Sequence, residues 1–201
     1  MNNEIDIEAL KQDKEFQENL KRLEEEVAHS DSLAKVYQLL DTKLAIKADE
    51  DEINELFNRV VQSAFDKVSN EIAEGGRLDL ANPDDWAAAR AIYEHAIERF
   101  SANDTKAAQE LFLALYYLID HPEVKDALMV HAAAVGKGYS FDDFFNKLTK
   151  VEDADFNDPM AVFVTDFVQP VDILLEMMKD EVAKLQARLE KLEKAQREAK
   201  S

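Results

Sequence analysis

The chain has 201 residues, with 43 acidic against 24 basic side chains, a formal charge of −19 and no cysteine. That length suits one domain with or without an extension, and the missing cysteines exclude disulfide frameworks, thiolate metal sites and cysteine nucleophiles. An acidic body repels phosphate backbones and anionic lipid headgroups, which argues against ordinary nucleic-acid or membrane binding.

Four glycines and four prolines leave little punctuation, and eleven phenylalanines argue against global disorder. Long helices are expected. The opening MNNEIDIEAL carries acids where a signal peptide needs a basic and then an apolar stretch. The longest apolar run, Leu111 to Ile119, falls short of the roughly 20 residues that span a bilayer. A cytoplasmic protein is expected.

In chain order, Phe16, Leu20, Leu23 and Val27 form a short heptad seam, which Asp13 interrupts upstream so that Ile5, Ile7 and Leu10 belong to a separate contact. Ser30 or Asp31 caps a second helix through Leu33, Val36, Tyr37, Leu40 and Leu44. The third carries a broad stripe from Ile53 to Ile72, opened by Asp49 to Glu52 and ended by Gly75 and Gly76. Asn82 followed by Pro83 opens the fourth, with Trp86, Ala89, Ile92, Tyr93, Ala96, Ile97 and Phe100. The fifth starts at Asn103 or Asp104 and, apolar on most sides, is expected to be the most buried. Pro122 opens a short sixth, closed by Gly136 and Gly138. Ser140 with Asp143 resembles a capping box opening a seventh through Phe141, Phe144, Phe145 and Leu148. No persistent alternating run demands a sheet. Ala88 to Phe100 is similar to the second helix of a tetratricopeptide-type unit, but one thirteen-residue copy cannot form a stacked array and an amphipathic helix accounts for it.

The strongest pattern lies beyond the acidic stretch Glu152 to Asp158. Val164, Val168, Val171, Leu175, Met178, Val182, Leu185, Leu189 and Leu192 alternate spacings of four and three residues. This is the seam by which one helix docks along another. One helix from Met160 to Lys200 would be about 60 Å long, with Pro170 kinking or interrupting it. From Lys179 to Ser201 five acids face seven bases, so the first 178 residues carry −21. The division is an acidic all-α body over 1–178 and a solvated helical extension over 179–201, coiled-coil-like, with the 1–30 helix as a candidate partner for it.

Candidate chemistry is sparse. Glu26 and His29 have the Glu-x-x-His spacing of di-metal bundles but lack a second copy. Asp153, Asp155 and Asn157 begin a calcium-loop pattern, but Asp158 stands where the glycine is needed and Val164 where the bidentate glutamate is. His95 and His131 sit among apolar neighbours, and His121 precedes Pro122 at a junction. Gly136 to Ser140 lacks the glycine spacing and strand of a phosphate loop. The six phenylalanines from Phe141 to Phe167 read as core rather than a ligand groove.

The expectation is therefore an all-α bundle of about seven helices with a long amphipathic C-terminal helix, non-enzymatic, with no catalytic, cofactor or metal residues. Its function is protein–protein interaction, as an adaptor, assembly factor or chaperone-like protein, with Val182, Leu185, Leu189 and Leu192 meeting a partner. Alternatives are a homodimer joined through that helix, an acidic nucleic-acid mimic, and a bundle enzyme using carboxylates.

Overall fold

Capping chemistry sets most helix boundaries. Asp13 accepts the Phe16 amide at 2.7 Å and separates a short α1 (Ile7–Gln12) from α2 (Lys14–Ala28). Ser32 caps α3 (Leu33–Ala45) and Asp49 caps α4 (Glu50–Glu74). Asn82, with Pro83 in the first turn, opens α5 (Pro83–Ser101), and Asp104 opens α6 (Thr105–Leu118). Pro122 begins α7 (Pro122–Lys137), and Ser140 caps α8 (Phe141–Leu148). A 3-10 turn at Pro159–Val162 is followed by α9 (Val171–Met177) and α10 (Lys179–Ala199). Each side-chain cap pairs an amide that the first helical turn would leave without a partner. The computed structural model describes residues 7–150 and 158–199.

The fold is all-α as expected. Among the described residues there is no strand, only isolated bridges between Leu78 and Ile119 and between Thr149 and Phe167. The described residues form ten α-helices rather than about seven with a tail, because the chain breaks at Asp13 and again around Met178. Gly75 ends α4 with φ of +66°, a left-handed conformation that costs glycine little.

Helices α3, α4 and α5 pack on one another, and α6 packs most extensively on α5 and α7. Alanines on the buried faces of α5 and α7, including Ala88, Ala96, Ala132 and Ala133, let helix axes approach closely. Phe100, Phe112, Leu115, Leu128 and Phe144 fill the space between. The most buried element is α7 rather than α6. Ten of its sixteen residues are buried, against six of fourteen in α6. It is also not short, since it runs through Gly136 before Gly138 caps it.

The C-terminal segment departs furthest from the sequence expectation. No helix runs from Met160 to Lys200. The Val164 amide donates to Tyr93 Oη at 3.0 Å and the Val168 amide to the Leu148 carbonyl at 2.9 Å, so neither supports a helical turn. Pro170 has no amide hydrogen and biases Gln169 away from helical angles, so it stands before α9 rather than within a helix.

The α10 seam, for which the 1–30 helix was one candidate partner, lies on α7 and α9. Leu185 is 1% exposed, while Val182, Leu189 and Leu192 pack half-buried against the core. Polar groups fix this register. Gln109 of α6 donates to Glu181 Oε1 at 3.2 Å and accepts from Arg188 Nη1, two turns along α10, also at 3.2 Å. Further along, Gln196 accepts from Tyr117 Oη at 2.6 Å and donates to the Ile72 carbonyl of α4. A Cβ at Gly136 would overlap both the Gln109 amide and the Glu181 carboxylate, so glycine permits α6, α7 and α10 to meet. The extension expected to be solvated is so on one face only.

Candidate functional site

The ionisable candidates lie apart. Glu26 pairs with Lys35 at 3.0 Å, while His29 Nδ1 faces the Glu25 carbonyl at 2.8 Å. That is a surface arrangement, not a metal dyad. His95 lies 2.9 Å from Glu98 Oε2 with its ring edge-on to Phe65. His121 precedes α7 without a side-chain capping bond. Gly136 to Ser140 form the end of α7 and the cap of α8. Asp153, Asp155, Asn157 and Phe156 lie outside the described residues. Among the described residues no group of three or more His, Asp or Glu side chains is placed to hold a metal ion, and no helix is long and apolar enough to cross a membrane.

His131 has a structural role. The Val164 amide donates to Tyr93 Oη, whose hydroxyl donates to His131 Nε2 at 3.0 Å; His131 Nδ1–H donates to the Ala127 carbonyl at 2.6 Å. The network assigns the proton to Nδ1 and requires a neutral ring. Burial pushes the imidazole pKa down to about 4, only partly offset by the Ala127 bond, and burial raises that of Tyr93. Phe112, Phe144 and Phe167 surround the ring at centroid distances of 5.0, 4.7 and 5.9 Å. This chain of bonds ties the segment before α9 to α5 and α7. The aromatic group around Phe144, Phe163 and Phe167 is accordingly core.

A different surface has the features of a recognition site. Leu10 of α1, Phe16 of α2, Tyr37 and the α3 C-cap residue Ile46, Leu80 of the α4–α5 loop, Trp86 of α5 and Met160 of the 3-10 turn line a cleft of about 790 Å³. A second cleft of about 530 Å³, lined by Tyr93, Ile97, Phe145, Val162 and Val164, adjoins it at Trp86, Arg90 and Pro159. The first lies within the roughly 300–1,000 Å³ typical of ligand sites. The sequence orders this region locally. Asp84, in the first turn of α5, accepts from Ser32 Oγ at 2.7 Å and from the Ala34 amide at 2.8 Å, so the start of α3 is fastened to that of α5.

Where the clefts meet, Arg90 donates to both Asp41 oxygens, at 2.7 and 3.0 Å, and through Nε to Glu94 at 2.8 Å. Tyr37 donates its hydroxyl to the other Glu94 oxygen. The guanidinium lies 4.1 Å from the Tyr37 ring centroid and 5.7 Å from that of Trp86. Burial by itself would lower the Arg90 pKa, but Asp41 and Glu94 outweigh it and the group is held charged. Burial and Glu94 together raise that of Tyr37 well above the usual phenol range. Tyr37, Asp41, Arg90 and Glu94 are thus bonded to one another at this junction. The indole Nε1–H of Trp86 is shielded from solvent and meets no acceptor among the described residues.

Sequence periodicity points to the α10 seam and passes over this cleft, because the lining comes from α1, α2, α3, α5 and two connecting segments. One local signal was available. Trp86, Arg90 and Glu94 recur every fourth residue on one row of α5, and Tyr37 with Asp41 do so on α3. Val182, Leu185, Leu189 and Leu192 do share one face, but that face meets the chain's own body. No known protein family, curated protein or solved structure matches this chain.

Proposed function

We propose that the chain is a non-enzymatic protein–protein interaction protein, an adaptor, assembly factor or chaperone-like protein, whose recognition surface is the Trp86 cleft rather than the α10 seam. The observation that carries this reading is the pair of adjoining apolar clefts, at whose junction Tyr37, Asp41, Arg90 and Glu94 are bonded to one another. Such a surface suits burial of apolar side chains better than chemistry on a substrate. Each aliphatic or aromatic anchor buried there contributes about 1.5–3 kcal/mol, and two lobes in series accommodate successive side chains of one polypeptide segment. Recruitment through α10 is less favourable, since Leu185 would first have to leave its own core.

Site-specific photocrosslinking tests this. A benzophenone amino acid replacing Gln38, an exposed residue on the cleft wall, should capture a discrete polypeptide from native lysate. Capture should vanish when Leu80→Gln and Met160→Gln are combined. The same probe at Glu190, on the exposed side of α10, should capture nothing. The opposite pattern would overturn the reading.

A further inference from the structure

We infer that the occupant of the Trp86 cleft is a cationic amphipathic polypeptide segment, with apolar side chains seated in both lobes and a lysine or arginine over the junction between them. This rests on the interaction reading above and adds the chemistry of the partner. The junction joins two carboxylates, Asp41 and Glu94, to one cation, Arg90, and so carries a net −1. Both carboxylate side chains stay within reach of solvent, at 45% and 41% exposure, whereas Arg90 is 21% exposed. A ligand thus meets acceptors rather than the guanidinium. A third carboxylate, Asp158, lines the second lobe, and among the described residues the linings of the two lobes include no cation except Arg90. A carboxylate with three or four acceptor positions retains capacity for a further donor after bonding Arg90 or Tyr37.

The wider field acts in the same direction, since residues 1–178 carry −21. An acidic segment entering here would face three carboxylates, with no uncommitted cation among the described lining residues. A basic one would be steered in and would complete the charge balance at the apolar–acidic–apolar junction. The electrostatic part must weaken with salt, because the Debye length falls from about 10 Å at 0.1 M to about 3 Å at 1 M.

Trp86 is the single tryptophan and lines both lobes, so its emission reports occupancy directly. The full chain is titrated with three tryptophan-free helical peptides of identical leucine pattern whose polar positions are all lysine, all glutamine or all glutamate. The lysine peptide should shift Trp86 emission saturably and bind at least tenfold tighter than the glutamate peptide. Its affinity should fall several-fold from low to moderate salt, and again with Ala45→Arg, an exposed change on the cleft wall. Leu80→Gln with Met160→Gln should remove binding of the lysine peptide. Equal binding of all three peptides would overturn the charge selection while leaving the interaction reading standing. Failure of every peptide to move Trp86 would overturn both. Lysine-peptide binding that survives both sets of cleft variants would place it elsewhere on the acidic surface and refute the inference.

Discussion

The docking of α10 can be tested through Leu185→Ala. Leu185 is 1% exposed and lies on the face that meets α7 and α9. Truncation removes the transfer free energy of most of a leucine side chain and leaves a cavity worth about 24 cal/mol per Å³, which together cost about 2–5 kcal/mol in buried sites. α10 is held on one side only and can shift inward, so the lower part of that range, about 2–3 kcal/mol, is expected. With a urea dependence of about 2–3 kcal/mol per molar for a domain of this size, the denaturation midpoint should fall by about 1 M. Leu189→Ala, half-buried, should shift it less, and Lys184→Ala, whose side chain is 71% exposed, should leave it in place. An unchanged midpoint for Leu185→Ala, or equal shifts for Leu185 and Lys184, would mean that α10 is not part of the body.

Phe112 is fully buried between Tyr93 and His131, so Phe112→Ala should cost about 3–5 kcal/mol, read by chemical denaturation. Asn82 accepts the amides of Asp84 and Asp85 at 2.9 and 3.2 Å; Asn82→Ala should cost about 0.5–2 kcal/mol and raise amide exchange in the first turn of α5. The native His131 pKa of about 4 lies below its ordinary 6.5, so the unfolded chain binds a proton that the native chain refuses as pH falls below 6.5. The contribution of His131 to stability should therefore be full above pH 6.5 and fall by about 3 kcal/mol as pH reaches 4. His131→Gln should flatten the part of the midpoint-versus-pH curve between those limits, and an identical curve would show that the ring is not held neutral.

Much of the fold is local and was readable as such. Asp49, Asn82, Asp104 and Ser140 cap helices by bonding amides two or three residues ahead, and Gly75 ends α4 through its own backbone freedom. One cap slipped: Ser32 opens α3 rather than Ser30 or Asp31, because Ser32 Oγ both accepts the Lys35 amide and reaches Asp84 of α5. That second bond spans fifty-two residues and has no local trace. The tail illustrates the same limit. A period of 3.5 records which residues share a face, yet it continued upstream through Val164 and Val168, whose amides bond Tyr93 and Leu148 instead. It also could not name the surface receiving that face. Gly136 is the one residue whose missing side chain admits both Gln109 and Glu181, and in the sequence it resembled a helix stop. The cleft was hidden for a related reason, since its walls come from segments up to one hundred and fifty residues apart.

The placement of recognition in the Trp86 cleft rather than the α10 seam is tested most directly by energy transfer from Trp86 to a neutral apolar probe, N-phenyl-1-naphthylamine. Probe binding should be saturable at one site, with Trp86 emission quenched in step with sensitised probe emission. Leu80→Gln with Met160→Gln should abolish the transfer, and Leu189→Gln in α10 should leave it unchanged. Absence of transfer in the wild type, or its loss in the α10 variant with the cleft variant unaffected, would contradict the assignment.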